Sequence, residues 1–204
     1  MAITKVIMEN LSDLDQKLIL NRMLNFVFGR VGIQTRPAAQ LANNFVRLVD
    51  RAILEHELAH AEFKLYVERR GLERFIRGQG HLETCIQSFH RSLNYVDALR
   101  GLGLRLADGT PLIPRAKDVE VLSTPVRNRI RDLRHAIEHT DERILKNRAP
   151  VGNPIALNPD DSSVCLEGIS LTYEELARWL RQLHSLAVRI NSYSDSSKEE
   201  DVEI

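Results

Sequence analysis

From Pro37 to Arg70 the chain carries an apolar stripe at helical spacing, Leu41, Phe45, Leu48, Ala52, Ala59, Phe63 and Tyr66, with no proline or glycine to interrupt it. Such a run predicts one amphipathic helix ended by Gly71. It exceeds the usual length of a globular helix, so it has to span the domain and be covered by other helices along most of its length. A second run, from about His81 to Arg100, places Leu82, Ile86, Phe89, Leu93 and Val96 on one side and stops at Gly101 and Gly103. Ser12 with Asp15 resembles a capping box that opens a further helix to about Gly29, and Thr172 with Glu175 opens a last one carrying Leu176, Leu180, Leu183 and Val188 inward. Between these lie a long connection, residues 102–123, and a segment in which a polar Asn-Pro-Asp-Asp-Ser-Ser turn separates two short apolar runs. The latter reads as a β-hairpin. The expected architecture is all-α, a bundle of four to five helices with a short hairpin before the last helix. Residues 1–190 form a single domain, and residues 191–204 a polar, acidic, disordered tail.

A chain of 204 residues buries enough core to need neither disulfide nor metal, and Cys85 and Cys165 are isolated thiols without the paired spacing of a zinc ribbon. Formal net charge is zero, but Asp195 to Ile204 carry −4 of it, which leaves a mildly basic body of +4. Arginine greatly outnumbers lysine. That excess suits bidentate contact with phosphate or carboxylate, and it equally follows from the codon usage of a GC-rich genome. No apolar run approaches the length of a membrane span or forms a signal peptide, so the expectation is no membrane and, by default, a cytoplasmic location.

Chemistry concentrates in Thr124 to Arg148, TPVRNRIRDLRHAIEHTDERILKNR. Thr124 and Pro125 mark a helix start. Val126, Ile130, Leu133, Ile137 and Ile144 then form a packing stripe, with His135 and His139 nearly opposite it at about 100° per residue. Arg131, Glu138 and Glu142 lie beside the histidines, and Arg134 and Asp141 sit on the margin of the stripe.

Two metal-binding patterns are present. His56 to His60, HELAH, matches the H-E-x-x-H arrangement in which two histidines one turn apart hold zinc beside a glutamate base. His135 to His139, HAIEH, matches its inverted form. Either would suit a zinc metallohydrolase. A zinc site also needs a third protein ligand and an open position for water. Neither pattern has an evident third ligand, and His56 and His60 fall beside an apolar stripe, so the expectation is no metal and no cofactor.

The same helix carries a third pattern. Arg134, followed by His135 and three further residues before His139, resembles the R-x4-6-H signature of the HEPN superfamily, helical proteins that include many prokaryotic RNases and toxin components. The continuation His139-Thr140-Asp141-Glu142-Arg143 is similar to the EHxDER helix of bacterial members of about this length. The resemblance implies a metal-independent RNA endonuclease, or a catalytically idle relative, in a toxin–antitoxin or defence setting. It further implies a homodimer with the motif helices facing each other, with RNA and an antitoxin-type protein as partners. It makes His139 the acid-base residue, Arg134 the phosphate clamp and His135 a helper, while Arg127 and Arg131 track the RNA backbone. The competing reading is a non-enzymatic interaction module, with Arg134 paired to Glu138 and His139 to Glu142 on a solvated helix face.

Overall fold

The computed structural model describes residues 3–14, 18–20, 33, 36–145, 157–166 and 168–193. The helix expected from Ser12 to Gly29 and the acidic tail lie almost entirely outside the described residues; residues 18–20 are helical.

Helix α1, Arg36–Arg69, is the continuous element that the stripe requires. Phe45, Leu48, Ala52, Ala59 and Phe63 are all buried, and Leu41 and Tyr66 pack against the core from its edge. A two-residue connection leads into α2, Leu72–Gly101. The chain reverses at Arg70, whose φ of 55° supplies the left-handed conformation that the sequence suggests for Gly71. Arg70 is held there by its N–H to the Tyr66 carbonyl at 2.7 Å and by its guanidinium to the Ile3 carbonyl at 2.8 Å. Helix α2 therefore starts nine residues before His81. Glycines at 78 and 80 hide this first stretch from a propensity reading, but Gly78 is a packing residue: a Cβ there would stand 2.5 Å from the Phe63 ring. The two helices run antiparallel, as the pairings Glu62 with Arg74, Phe63 with Phe75 and Glu55 with His81 require.

After α2 the connection is ordered by a bridge between Arg105 and Pro111, by a turn with Gly109 at φ 78° and by a 3-10 turn, Glu120–Leu122. Leu112, Val121 and Leu122 from this stretch enter the core. Helix α3, Thr124–Glu138, follows and packs on α2. It ends ten residues earlier than Arg148. His139 leaves helical geometry at φ −102° and ψ 20°, and the Thr140 hydroxyl donates to the Ala136 and Ile137 carbonyls at 3.1 and 2.9 Å, taking acceptors that a continuing helix would use. A separate short helix α4, Thr140–Leu145, begins there. The change of direction explains why Val126, Ile130, Leu133 and Ile137 are buried while Ile144 is 48% exposed.

The expected hairpin is one half of a three-stranded antiparallel sheet of order β1 (Asn158–Pro159), β2 (Ser163–Leu166), β3 (Ile169–Thr172). The polar turn joins β1 to β2, with the Asp160 carboxylate accepting from the Ser162 and Ser163 N–H groups at 2.8 and 2.6 Å. The second turn uses Gly168 at φ 79°. Helix α5, Tyr173–Asn191, has the expected Thr172–Glu175 capping box, and Leu176, Leu180 and Leu183 are fully buried. Val188 is 41% exposed, and Ala187 and Ile190 face inward in its place. Helix α5 packs on α1, and Trp179 meets Phe89 of α2 edge-on with ring centroids 6.4 Å apart. Among the described residues, no helix is long and apolar enough to cross a membrane.

Candidate nucleic-acid-cleaving face on α3

The amphipathic pattern of α3 buries Val126, Ile130, Leu133, Ala136 and Ile137 and leaves the opposite side to solvent. His135 and His139 stand on that side with their rings stacked, centroids 6.1 Å apart and planes 6° from parallel. Although His139 is the first residue past the helix, its N–H still donates to the His135 carbonyl at 3.1 Å, which keeps the two side chains one turn apart in register. Arg134 sits beside them and pairs with Glu138 at 2.6 Å; His139 Nδ1 lies 3.3 Å from Glu142 Oε1. These are the two ion pairs that the spacing anticipates. Both are at least a third exposed on one partner, so solvent screening leaves the Arg134–Glu138 ion pair worth roughly 0.3–0.5 kcal/mol.

Arg131 is half exposed and its Nε donates to the neighbouring Asp132 at 3.0 Å. Arg127 is differently placed. It is 20% exposed, its Nε donates to the Leu122 carbonyl at 3.0 Å and its guanidinium pairs with Asp97, which also pairs with Arg100. Arg127 thus fastens the start of α3 to the end of α2.

The sequence gives no sign of His90. It stands on α2 where α3 crosses, half-buried. Burial lowers its proton affinity, and the positive charges of Arg134, His135 and Arg131 lower it further against the opposing Glu138. No motif marks His90; only the α2–α3 crossing brings it to Arg134 and His135. The face therefore offers the imidazoles of His135 and His139 beside Arg131 and Arg134, with half-buried His90, its proton affinity lowered, next to them.

The HELAH histidines go elsewhere. His56 is fully buried on α1, with Nδ1 3.6 Å from Glu57 Oε1. That same carboxylate oxygen accepts the Leu11 N–H at 2.6 Å, so Glu57 anchors the N-terminal segment to α1. Burial also pushes half-buried His60 below the ordinary imidazole range, although Glu57 opposes the shift. Among the described residues, no three His, Cys, Asp or Glu side chains are grouped to hold a metal ion, at HELAH or at HAIEH.

Compared with protein-family models, curated protein sequences and solved structures, the chain matches none of them.

Proposed function

We propose that the exposed face of α3 is the RNA-cleaving site of a HEPN-like, metal-independent ribonuclease, or of a relative that has kept the site and lost the activity. The observation that carries this reading is the stacked pair of His135 and His139 beside Arg134 on the exposed side of α3, with His90 of α2 within electrostatic reach of Arg134 and His135. Cleaving RNA without metal needs one group to take the 2′-OH proton as that oxygen attacks phosphorus. A second must protonate the departing 5′ oxygen, and a cation must meet the charge developing on phosphate. His139 serves as the acid-base residue, with His135 beside it. His90 adds a neighbouring imidazole whose proton affinity burial lowers. Arg134 is the phosphate clamp, a role that its fork-shaped guanidinium fills bidentately once it leaves Glu138 for substrate. Arg131 extends the cationic edge, whereas Arg127 is committed to Asp97. A two-fold dimer through α3 would double this set of groups around one RNA strand, and a toxin–antitoxin or defence role in the cytoplasm fits such an enzyme.

The second reading, an interaction module without catalysis, is favoured by one specific feature. Arg134 and His139 are each already matched to a carboxylate, at 2.6 and 3.3 Å. The deciding experiment is incubation of the purified chain with a broad panel of labelled RNAs in EDTA. Cleavage of RNA but not of the matching DNA supports the enzyme; intact RNA throughout leaves the interaction module.

A further inference from the structure

The connection between α2 and α3 gathers cations that the fold leaves largely uncompensated. Two adjoining hollows along it, of about 230 and 370 Å³, share Pro111, Pro114 and Arg115. Arg100 and Arg105 border the first, Lys117 and Arg189 the second. Earlier on α5 the arginines meet carboxylates: Arg178 pairs with Glu120 at 3.0 Å, and Arg181 with Glu9 and Asp13, both at 2.7 Å. Arg189 of the same helix instead donates to the Leu112 and Pro111 carbonyls, both at 2.9 Å, and Arg105 donates to the Gly109 carbonyl at 2.7 Å. A carbonyl orients a guanidinium without cancelling its charge. Arg115 and Lys117 are exposed and form no ion pair among the described residues. Of the nearby acids, Asp97 is divided between Arg100 and Arg127, and Asp108 accepts from the Thr110 N–H and hydroxyl at 2.9 and 2.6 Å. Asp118 is the acid on the linings.

The chain itself supplies the opposite charge. It is fixed as far as Tyr193, which is buried one turn beyond Arg189 and donates its N–H to the Ile190 carbonyl at 3.3 Å. The residues after it lie outside the described structure, and their sequence carries Asp195, Glu199, Glu200, Asp201 and Glu203 against Lys198. Even fully extended, the stretch from Tyr193 to Glu203 reaches no further than about 36 Å. A tether this short keeps the local carboxylate concentration in the millimolar range, where exposed ion pairs of little individual worth act together. Two small hollows side by side, at or below the lower end of the roughly 300–1,000 Å³ of small-molecule sites, suit successive side chains of an extended segment better than one compact ligand.

We propose that the acidic residues 195–203 dock on the cationic surface of the α2–α3 connection in the same chain, their carboxylates meeting Arg105, Arg115, Lys117 and Arg189, and so shield that surface from other acidic partners. The contact is separate from the α3 face and stands or falls apart from the ribonuclease reading. Zero-length carbodiimide coupling tests it, on the full chain equilibrated with an equal part of isotopically heavy chain and read by mass spectrometry. Lys117 should couple to Glu199, Glu200, Asp201 or Glu203 about tenfold more often than do Lys5 and Lys64, which are also exposed, and only within chains of one isotope. Salt at about 1 M, where the screening length falls to about 3 Å, should remove that preference. Arg105→Ala/Arg115→Ala should remove it at low salt with unchanged helicity, because both side chains are exposed. The proposal is overturned if Lys117 couples to these acids no more often than Lys5 and Lys64 do, or if its preference survives either the salt or the double variant. Coupling between heavy and light chains overturns it as well, since the occupant is then the acidic segment of a second copy.

Discussion

The imidazoles of His135 and His139 lie parallel with their centroids 6.1 Å apart, although α3 ends between them. The last hydrogen bond of the helix, from the His139 N–H to the His135 carbonyl, holds the pair in register while the chain turns away at Thr140. His139 is thus anchored through its backbone, while its half-exposed ring stacks on His135 and faces the Glu142 carboxylate.

Substituting His139→Ala or Arg134→Ala should abolish RNA cleavage and leave the fold intact. Loss of a positioned acid-base group costs about two to four orders of magnitude in rate, and loss of the phosphate cation should be comparable. Both side chains lie off the packing stripe, where substitution costs under about 0.5 kcal/mol. Rates on labelled RNA, with circular dichroism as the folding control, check both halves; variants that cut as fast as wild type would remove Arg134 and His139 from the mechanism.

Light scattering should give twice the chain mass at micromolar concentration. A charge reversal at the centre of the exposed face, Arg131→Glu, should shift the population toward monomer. A wild-type chain that stays monomeric at high concentration means that any cleavage site is built from one copy.

His60 and His90 should titrate below the ordinary imidazole value of 6.5, since burial opposes the charged form of both. In the unfolded chain each binds its proton near the ordinary value. Stability therefore falls as pH drops from that value toward the folded-state value, because the unfolded state takes up protons first. Proton NMR of the imidazole Cε1–H signals, followed from pH 8 to pH 4, measures both midpoints. A midpoint at or above 6.5 for His90 would remove the lowered proton affinity assigned to it beside the α3 face.

Acid should release the N-terminal segment before it melts the helices. The Asp161 carboxylate is held below its usual range by the Thr4 hydroxyl at 2.6 Å and by the Lys5 and Thr4 N–H groups at 3.0 and 2.6 Å. Its stabilisation is present above the usual carboxylate range and is lost as pH falls through the lower folded-state value. Hydrogen exchange at residues 4 and 5 should accelerate in that window, and Asp161→Ala should produce the same acceleration at neutral pH.

Two glycines near the start of α2 should respond in opposite senses. Gly78→Ala drives a methyl group to 2.5 Å from the Phe63 ring, an overpacking that costs about 1–3 kcal/mol and exceeds the gain of about 1 kcal/mol from removing a helical glycine. Gly80→Ala has nothing within 4 Å and should stabilise by up to about 1 kcal/mol. Denaturant titration of the two variants separates them; equal effects would mean that Phe63 moves aside without cost.

Elements whose residues answer to their near neighbours can be read from the chain alone. The Leu41 to Tyr66 stripe predicts α1 because side chains three and four residues apart must share a face. Thr172 and Glu175 mark the start of α5 because a capping box is closed within four residues. The pairs Arg134–Glu138 and His139–Glu142 follow from the same helical arithmetic. Features that depend on residues far apart in the chain emerge only when the helices pack. Gly78 is helical because Phe63 needs the space beside it, and Glu57 of HELAH is committed to the Leu11 N–H across 46 residues. The extent of α3 could not be read from apolar spacing, which continues to Ile144, since the Thr140 hydroxyl competes for carbonyls that the pattern does not register. His90 joins Arg134 and His135 only because α2 and α3 cross at that point, and a crossing is set by how two whole faces pack, which no local pattern encodes.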